Sequence, residues 1–345
     1  MIILSVAFPL LPVSSSSGGG AEQILYLLER GIAAAGHRSI VIAAKGSHVR
    51  GDLIETPAST SEITNEVRLD AQRTHLQAIE RVLNHTAVDL LHFHGLDFYA
   101  YQPPPKLPML ATLHLPLDWY PPSIFDGSVQ LNCVSRAQAS SAQNVNWPVV
   151  ENGIDTGQYG TNTGKRAHLL WLGRICPEKG VHIALRVARR LDLPMIIGGP
   201  VHPFREHETY FAEAVRPLLD SRREYIGPVA LGTKVKLLSE AACLLIPSLV
   251  TETSSLVAME AMASGTPVVA FRRGALPEVV EHGITGFLVD SEEEMAAAVK
   301  KIEMLSPQVC RSRALDRFDA SRMIAEYLAL YRRVIDARAA STRPA

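Results

Sequence analysis

Short apolar runs rich in Val, Ile and Leu alternate along the chain with segments whose apolar residues recur every three to four positions. The runs fit strands buried on both faces and the intervening segments fit helices that cover them, which predicts parallel sheets with helices on both sides. In the first half the predicted strands are Ile2 to Phe8, Ser39 to Ala44, Leu90 to His94, Met109 to His114 and Leu131 to Ser135. A helix is expected over Ala21 to Ala35, where Ile24, Leu25, Leu28 and Ile32 share one stripe and Gly36 offers a stop.

The pattern then breaks. Residues 151 to 168, ENGIDTGQYGTNTGKRAH, are rich in glycine and turn formers and read as a linker. Alternation resumes with strands at Leu169 to Leu172, Met195 to Ile197, Cys243 to Pro247 and Val268 to Phe271, and helices near Val181 to Leu191, Lys234 to Ala242 and Leu256 to Ala263. A last helix, about Ala320 to Ala337, keeps Met323, Ile324, Leu328, Tyr331 and Ile335 at helical spacing. A chain of 345 residues suits two domains. The expected division is 1–155, completed by a C-terminal helix at about 323–338, and 156–322. The fold class is α/β, with two facing Rossmann-like doubly wound parallel-sheet domains, whose ligand sites belong at the carboxyl ends of the strands and in the cleft between them.

Composition narrows the partners. With 34 Lys plus Arg against 35 Asp plus Glu, the net charge of −1 gives no field that would draw the chain to nucleic acid, so an anion site must be local. Cys133, Cys176, Cys243 and Cys310 form no C-x-x-C pair, which argues against a zinc site and reads as reduced thiols in a cytoplasmic protein. Residues 1 to 13 lack a basic leader region and are too short to span a bilayer as a helix. Peripheral membrane contact is left open, without a strongly basic amphipathic helix to support it.

The most informative stretch is Pro247 to Phe271, PSLVTETSSLVAMEAMASGTPVVAF, a buried strand leading through a polar loop into a helix. With a helix start near Ser254 or Ser255, no Glu or Gln occupies the third helical position, so the first amides are free to take a phosphate. Glu252 and Glu260 stand eight residues apart, about 12 Å if all eight were helical, and so address different parts of an extended ligand. Acidic residues at helix starts also occur for dipole reasons alone. In Leu169 to Gly180, LLWLGRICPEKG, Arg174 and Lys179 follow a buried strand and suit a pyrophosphate. The plain alternative is a solvated loop in which a cation pairs with Glu178.

Ser14 to Glu22, SSSSGGGAE, stands between the first strand and the first helix, where missing Cβ atoms let a ligand approach backbone amides. It is neither G-x-G-x-x-G nor a P-loop, and a flexible tip is the other reading. His92 and His94 lack a third metal ligand, and His114 ends a strand, at a ligand site or as a satisfied core histidine.

These residues together resemble the family 4, or group 1, retaining glycosyltransferases of the GT-B architecture. The resemblance runs through GGAE at Gly19 to Glu22, HFHG at His92 to Gly95, ATLH at Ala111 to His114, VSRAQ at Val134 to Gln138 and ENGID at Glu151 to Asp155. It continues through LGRICPEKG at Leu172 to Gly180, YIGPV at Tyr225 to Val229, the segment Glu252 to Glu260 and LPEVVEHGITGFLV at Leu276 to Val289. The resemblance implies that Arg174 and Lys179 bind a donor diphosphate, approached also by the amides of Gly19 and Gly20. It implies that Glu260 holds the ribose, that Glu252 and the amides of Ser254, Ser255 and Leu256 hold the sugar and β-phosphate, and that His114 lies by the transferred sugar. Base contacts are expected from backbone near Gly198 to Pro200 and Gly227 to Val229. One departure stands out, because ETSS occupies the place where E-G-F-G is common, and its hydroxyls are candidates for reading the sugar.

The implied activity is transfer of a sugar from a nucleotide-diphosphate sugar, UDP- or GDP-linked, to a hydroxyl on a glycan, lipid-linked or small-molecule acceptor. The implied stereochemistry is retention, with no metal and no other cofactor. Rival readings are a nucleotide-sugar-binding module without transfer activity and a sugar-nucleotide epimerase. Acceptor contacts are expected from the Tyr-, Trp- and Pro-rich loops at Leu96 to Pro105 and Leu115 to Ser123.

Overall fold

The computed structural model describes residues 1–341 except 16, 59–63, 126, 143–145, 162, 163, 165 and 167. Part of the Ser/Gly run, at Ser16, and four positions of the 151–168 segment therefore lie outside the described residues. The chain divides into two compact units, one of Met1–Asn152 with the segment from Ala320 onward, the other of Gly153–Asp319.

Unit 1 holds strands β1 (Ile2–Val6), β2 (Arg38–Ala44), β3 (Asp52–Thr56), β4 (Leu90–Phe93), β5 (Met109–Leu113) and β6 (Gln130–Cys133). Its helices are α1 (Gly20–Ala34), α2 (Asn65–His85) and the short α3 (Arg136–Ser140). All its strand pairs are parallel, in the order β3-β2-β1-β4-β5-β6. Unit 2 repeats that scheme with β7 (His168–Leu172), β8 (Met195–Gly198), β9 (Arg223–Tyr225), β10 (Ala241–Ile246), β11 (Val268–Phe271) and β12 (Gly286–Val289). Its order, β12-β11-β10-β7-β8-β9, is again doubly wound. Its helices are α4 (Val181–Arg190), α5 (Arg205–Tyr210), α6 (Leu231–Glu240), α7 (Leu256–Ala263), α8 (Leu276–Val279), α9 (Glu292–Val299) and α10 (Pro307–Phe318), and α11 (Ala320–Ser341) then returns the chain to unit 1.

The sheet of unit 2 is buried on both faces, as parallel strands between helices must be. Leu170, Leu244, Ile246, Val268 and Ala270 pack into one core with α7 and α10, while Leu169, Trp171, Cys243, Leu245 and Val269 pack into another with α4 and α9. In unit 1 one face is similarly apolar, with Leu4, Val6, Leu91, Phe93, Ala111 and Leu131 in a single cluster. Buried polar side chains lie on the same strands. His92, fully buried, bonds through Nδ1 to the Tyr331 hydroxyl at 2.8 Å and through Nε2 to Thr112 Oγ1 at 2.8 Å. The Thr112 hydroxyl reaches Asn132 Oδ1 at 2.8 Å and the Tyr327 hydroxyl at 3.1 Å. This network, with Ile324 of α11 seated where a Cβ on Gly31 would stand, ties the last helix to the first unit. It also takes His92 out of the metal-ligand role weighed for it.

Strands β3, β9 and β12 were not expected from the sequence. All three lie at sheet edges, where one side is unpaired and a continuous apolar run is not required. The predicted helix Lys234 to Ala242 is corrected to α6, because Ala241 and Ala242 begin β10, with an irregular register against β7 at that point.

His75 on α2 is fully buried, and neither ring nitrogen makes a hydrogen bond of good geometry, the Ala71 carbonyl one turn back giving only weak support. Burial pushes its pKa down to about 4. The unfolded chain therefore binds a proton below its ordinary value of 6.5 that the folded chain refuses, so stability falls as pH drops from 6.5 toward 4. Urea unfolding near pH 7 and near pH 5 should show unit 1 weaker at the lower pH, with His75 contributing about 2 kcal/mol at about 1.4 kcal/mol per pH unit. His75→Leu should remove that share of the slope, and an unchanged slope would show that His75 is not its source.

Candidate functional site

The carboxyl edge of the unit 2 sheet gathers most of the residues singled out from the sequence. Beyond β7 the chain makes a loop and a single 3-10 turn, Pro177–Lys179, then passes through Gly180 at φ +64° into α4. A Cβ on Gly180 would stand 2.2 Å from the Pro247 carbonyl oxygen, so only glycine lets this loop lie against the loop after β10. The Leu249 amide donates to the Glu178 carbonyl at 2.8 Å and stitches the two loops together. Across this seam Lys179 Nζ meets Glu252 Oε1 at 2.6 Å, both side chains being largely buried. A charge-assisted bond of this kind contributes about 1.5–3 kcal/mol.

Glu252 is held from its other side by the loop after β11. The Ala275 amide donates to the Glu252 carbonyl at 2.7 Å, and Gly274, at φ +55°, sits so close that a Cβ would lie 2.1 Å from that oxygen. Helix α7 begins only at Leu256, with Ser255 as N-cap. The eight-residue helical span read between Glu252 and Glu260 is therefore corrected: Glu252 belongs to the loop and Glu260 to the second turn of the helix. No side chain caps α7 and its first turn has no acidic residue, so its positive end is not neutralised locally. Ser255 is buried at that end and Ser254 is half-buried beside it.

Glu260 is buried and doubly held, by the Tyr159 hydroxyl at 2.9 Å and by Lys234 Nζ of α6 at 2.6 Å, both on Oε1. Burial, with Glu260 beside it, pushes the Tyr159 phenol well up, so it remains a donor. Arg174 makes a 3.8 Å ion pair with Glu178, the plain pairing the sequence allowed, while keeping about a third of its side chain exposed. The loops after β8 and β9 meet on the same edge, where the Gly199 amide donates to the Gly227 carbonyl at 2.8 Å and the Gly173 amide to the Gly198 carbonyl at 3.1 Å. Gly227 takes φ +76°, and the Val229 side chain fills the place of a Cβ on Gly198.

In unit 1, His114 follows β5 and stacks on His94, ring centroids 5.3 Å apart, with His94 Nδ1 3.1 Å from His114 Nε2. Burial pushes His114 down to about 3, so its ring is neutral at neutral pH. Gly19 is the N-cap of α1 and Gly20 its first residue, and the Glu22 carboxylate occupies the space of a Cβ on Gly19. The Glu22 side chain thus already lies against the Gly19 backbone. Tyr159, Lys234 and Gly274 were not read from the sequence. Tyr159 lies in the segment taken for a linker and Lys234 on an ordinary helix, so only the fold brings them to Glu260.

A sheet order of 3-2-1-4-5-6 in each of two Rossmann-like units matches the GT-B fold class. Residues 166–304 match the family model of the group 1 glycosyl transferases, and the chain is similar to that family through most of its second unit. Among curated relatives, the D-inositol 3-phosphate glycosyltransferase of Corynebacterium efficiens is 38% identical over 131 residues, 36% of this chain and 31% of its own length. That of Salinispora tropica is 30% identical over 196 residues, 49% of this chain and 40% of its own. The chain thus spans less than half the length of these relatives. Among solved structures, AviGT4, a glycosyltransferase involved in avilamycin A biosynthesis, superposes with a TM-score of 0.74 at 24% identity, over 98% of this chain and 99% of that one. A sucrose-phosphate synthase from Thermosynechococcus elongatus gives 0.81 at 18% identity, over 98% and 100%. Anabaena HepE in complex with UDP-glucose gives 0.71 at 18%, over 95% and 100%. At these identities the structures establish the fold. Among the described residues no helix is long and apolar enough to cross a membrane.

Gly274→Ala should lower the thermal midpoint by the equivalent of about 1–3 kcal/mol, since a side chain is forced into a left-handed conformation against the Glu252 backbone. Gly283→Ala is the control, being at φ +77° with open space around it. Equal losses in the two would show that contact with Glu252 adds nothing at Gly274.

Proposed function

We propose that this chain is a retaining glycosyltransferase that moves a sugar from a nucleotide-diphosphate donor to an acceptor hydroxyl without a divalent metal. The observation that carries the reading is the convergence of Arg174, Lys179, Glu252, Glu260 and the uncapped start of α7 on one edge of the unit 2 sheet. That edge lies within the segment matching group 1 glycosyl transferases. Negative charge grows on the diphosphate as the sugar departs, and two cations with a helix N-terminus supply the stabilisation a metal would otherwise give. Ser255 and Leu256 lie at that helix end, so their amides are assigned to the β-phosphate, with Arg174 and Lys179 on its other oxygens.

Glu260, buried and oriented by Tyr159 and Lys234, is the ribose acceptor group. The Gly227 to Val229 backbone is assigned to the base. Glu252, fixed by Lys179 and the Gly274 loop, positions the sugar and offsets positive charge developing on it, and Ser254 reads its hydroxyls. The acceptor hydroxyl attacks on the face the diphosphate leaves, and a β-phosphate oxygen takes its proton. His114, neutral at the pH of use, is assigned a hydrogen bond to the transferred sugar, and the amides of Gly19 and Gly20 a further diphosphate contact. Anabaena HepE binding UDP-glucose supports a UDP-sugar as the first donor to try, ahead of GDP-sugars. No relative's acceptor transfers to this chain at the coverage seen.

Thermal unfolding with UDP, GDP, ADP and dTDP and their sugar conjugates is expected to pick out one series. Ligand at about 100 times its Kd adds about 2.7 kcal/mol, and EDTA should leave the shift unchanged. With no nucleotide shifting the midpoint, the donor assignment fails. A shift without transfer to any acceptor would instead favour a binding module.

Glu252→Gln should lower kcat about a hundredfold while moving donor affinity little, the pattern of a group acting in the transition state. An unchanged kcat would remove Glu252 from the chemistry.

A further inference from the structure

The turn that bears Lys179 carries a second set of ligands that the transfer reaction leaves unused. Cys176, Glu178 and His207 each place one donor atom so that the three lie within 4.8 Å of one another, the one such group of His, Cys, Asp and Glu among the described residues. Cys176 is fully buried, and its thiol reaches only the Arg174 carbonyl, at 3.5 Å, and the Glu178 carboxylate. His207, on α5, is nine-tenths buried, and its Nδ1 has no hydrogen-bond partner. A buried ring nitrogen left unsatisfied carries a free-energy penalty that ligation would remove.

We propose that Cys176, Glu178 and His207 form a binding site for a borderline-soft divalent cation, of which zinc is the type, beside the Arg174–Lys179 loop. A thiol, an imidazole and a carboxylate make a mixed S, N, O set that selects zinc over magnesium, which wants an octahedron of oxygens. Bonds of about 2.0–2.3 Å at tetrahedral angles put ligand atoms roughly 3.5 Å apart, so the three must close by about 1 Å, a change within the reach of side-chain torsions. Three protein ligands leave a fourth position for water. The His202 ring lies 6.3 Å from that of His207 and is a further nitrogen source nearby. The cation competes with Arg174 for Glu178, now 3.8 Å away, so its binding releases that guanidinium. The role is structural or regulatory and lies outside the sugar-transfer chemistry.

The test titrates the full chain, reduced and free of nucleotide, with Zn2+ against a chromophoric chelator, with Mg2+ in excess as competitor. One Zn2+ per chain is expected. Cys176→Ser and His207→Ala should each weaken it by more than about tenfold, the loss that changes in supporting residues alone already cause. Both variants should keep the metal-free thermal midpoint. Co2+ in place of Zn2+ should add a thiolate-to-cobalt absorption in the near ultraviolet that Cys176→Ser lacks. Absence of stoichiometric binding, affinity unchanged in both variants, or a cobalt complex without that absorption overturns the proposal. Should either variant lose its midpoint, the cobalt spectrum of the unmutated chain decides. Because no donor is present, the outcome is independent of the nucleotide experiment above.

Discussion

The ion pair between Lys179 and Glu252 joins the loops after β7 and β10, the two neighbouring strands from which the sheet of unit 2 winds in opposite directions. At such a switch point the flanking helices run to opposite faces, and a crevice opens at the strand ends. Two charges brought to 2.6 Å there must be fixed by backbone, because loops at an open edge are otherwise the mobile part of a fold. Gly180 and Gly274 do that fixing. Each removes a Cβ that would strike a neighbouring carbonyl, at Pro247 and at Glu252. The geometry of the candidate donor site therefore rests on close backbone approach at two glycines as much as on its charged side chains.

Unit 1 solves a different problem. Its sheet includes a fully buried histidine, threonine and asparagine, which need partners inside the protein. Tyr327 and Tyr331 of α11 supply them, so the last helix is bound by hydrogen bonds of fixed direction in addition to apolar contact. Apolar packing alone tolerates sliding by a residue or a turn. A histidine held on both nitrogens does not, and this sets the register of α11 on its sheet.

How much of this was legible in the sequence follows from the same physics. Central strands such as Leu169 to Leu172 and Val268 to Phe271 are buried on both faces and show as continuous apolar runs, so they were placed within a residue. Edge strands β3 and β9 are partly solvated and β12 is only four residues long, and none left such a trace. Arg174, Lys179, Glu252 and Ser255 could be singled out as candidates because strand-loop-helix junctions carry their polar residues locally. Tyr159 and Lys234, which orient Glu260 from 101 and 26 residues away, were not, because no local pattern records a tertiary hydrogen bond. The cluster of Cys176 with His207 escaped for the same reason. Cysteine spacing alone argued against a metal, whereas the fold brings His207 of α5 to within reach of Cys176 and Glu178.

Three cations at unit 2's strand edge share one property: each faces a carboxylate, Arg174 with Glu178, Lys179 with Glu252 and Lys234 with Glu260. A basic cluster left unpaired would attract any polyanion, whereas a compensated one is close to neutral until a ligand offers better geometry than the resident acid. That arrangement fits a chain whose net charge is −1. Under the proposed function, a diphosphate entering here would share Lys179 with Glu252, and the sharing is cheapest when the sugar next to Glu252 carries developing positive charge, because the carboxylate then exchanges one positive neighbour for another. On that reading the pairing favours the reacting state over mere occupancy, which is the direction catalysis requires.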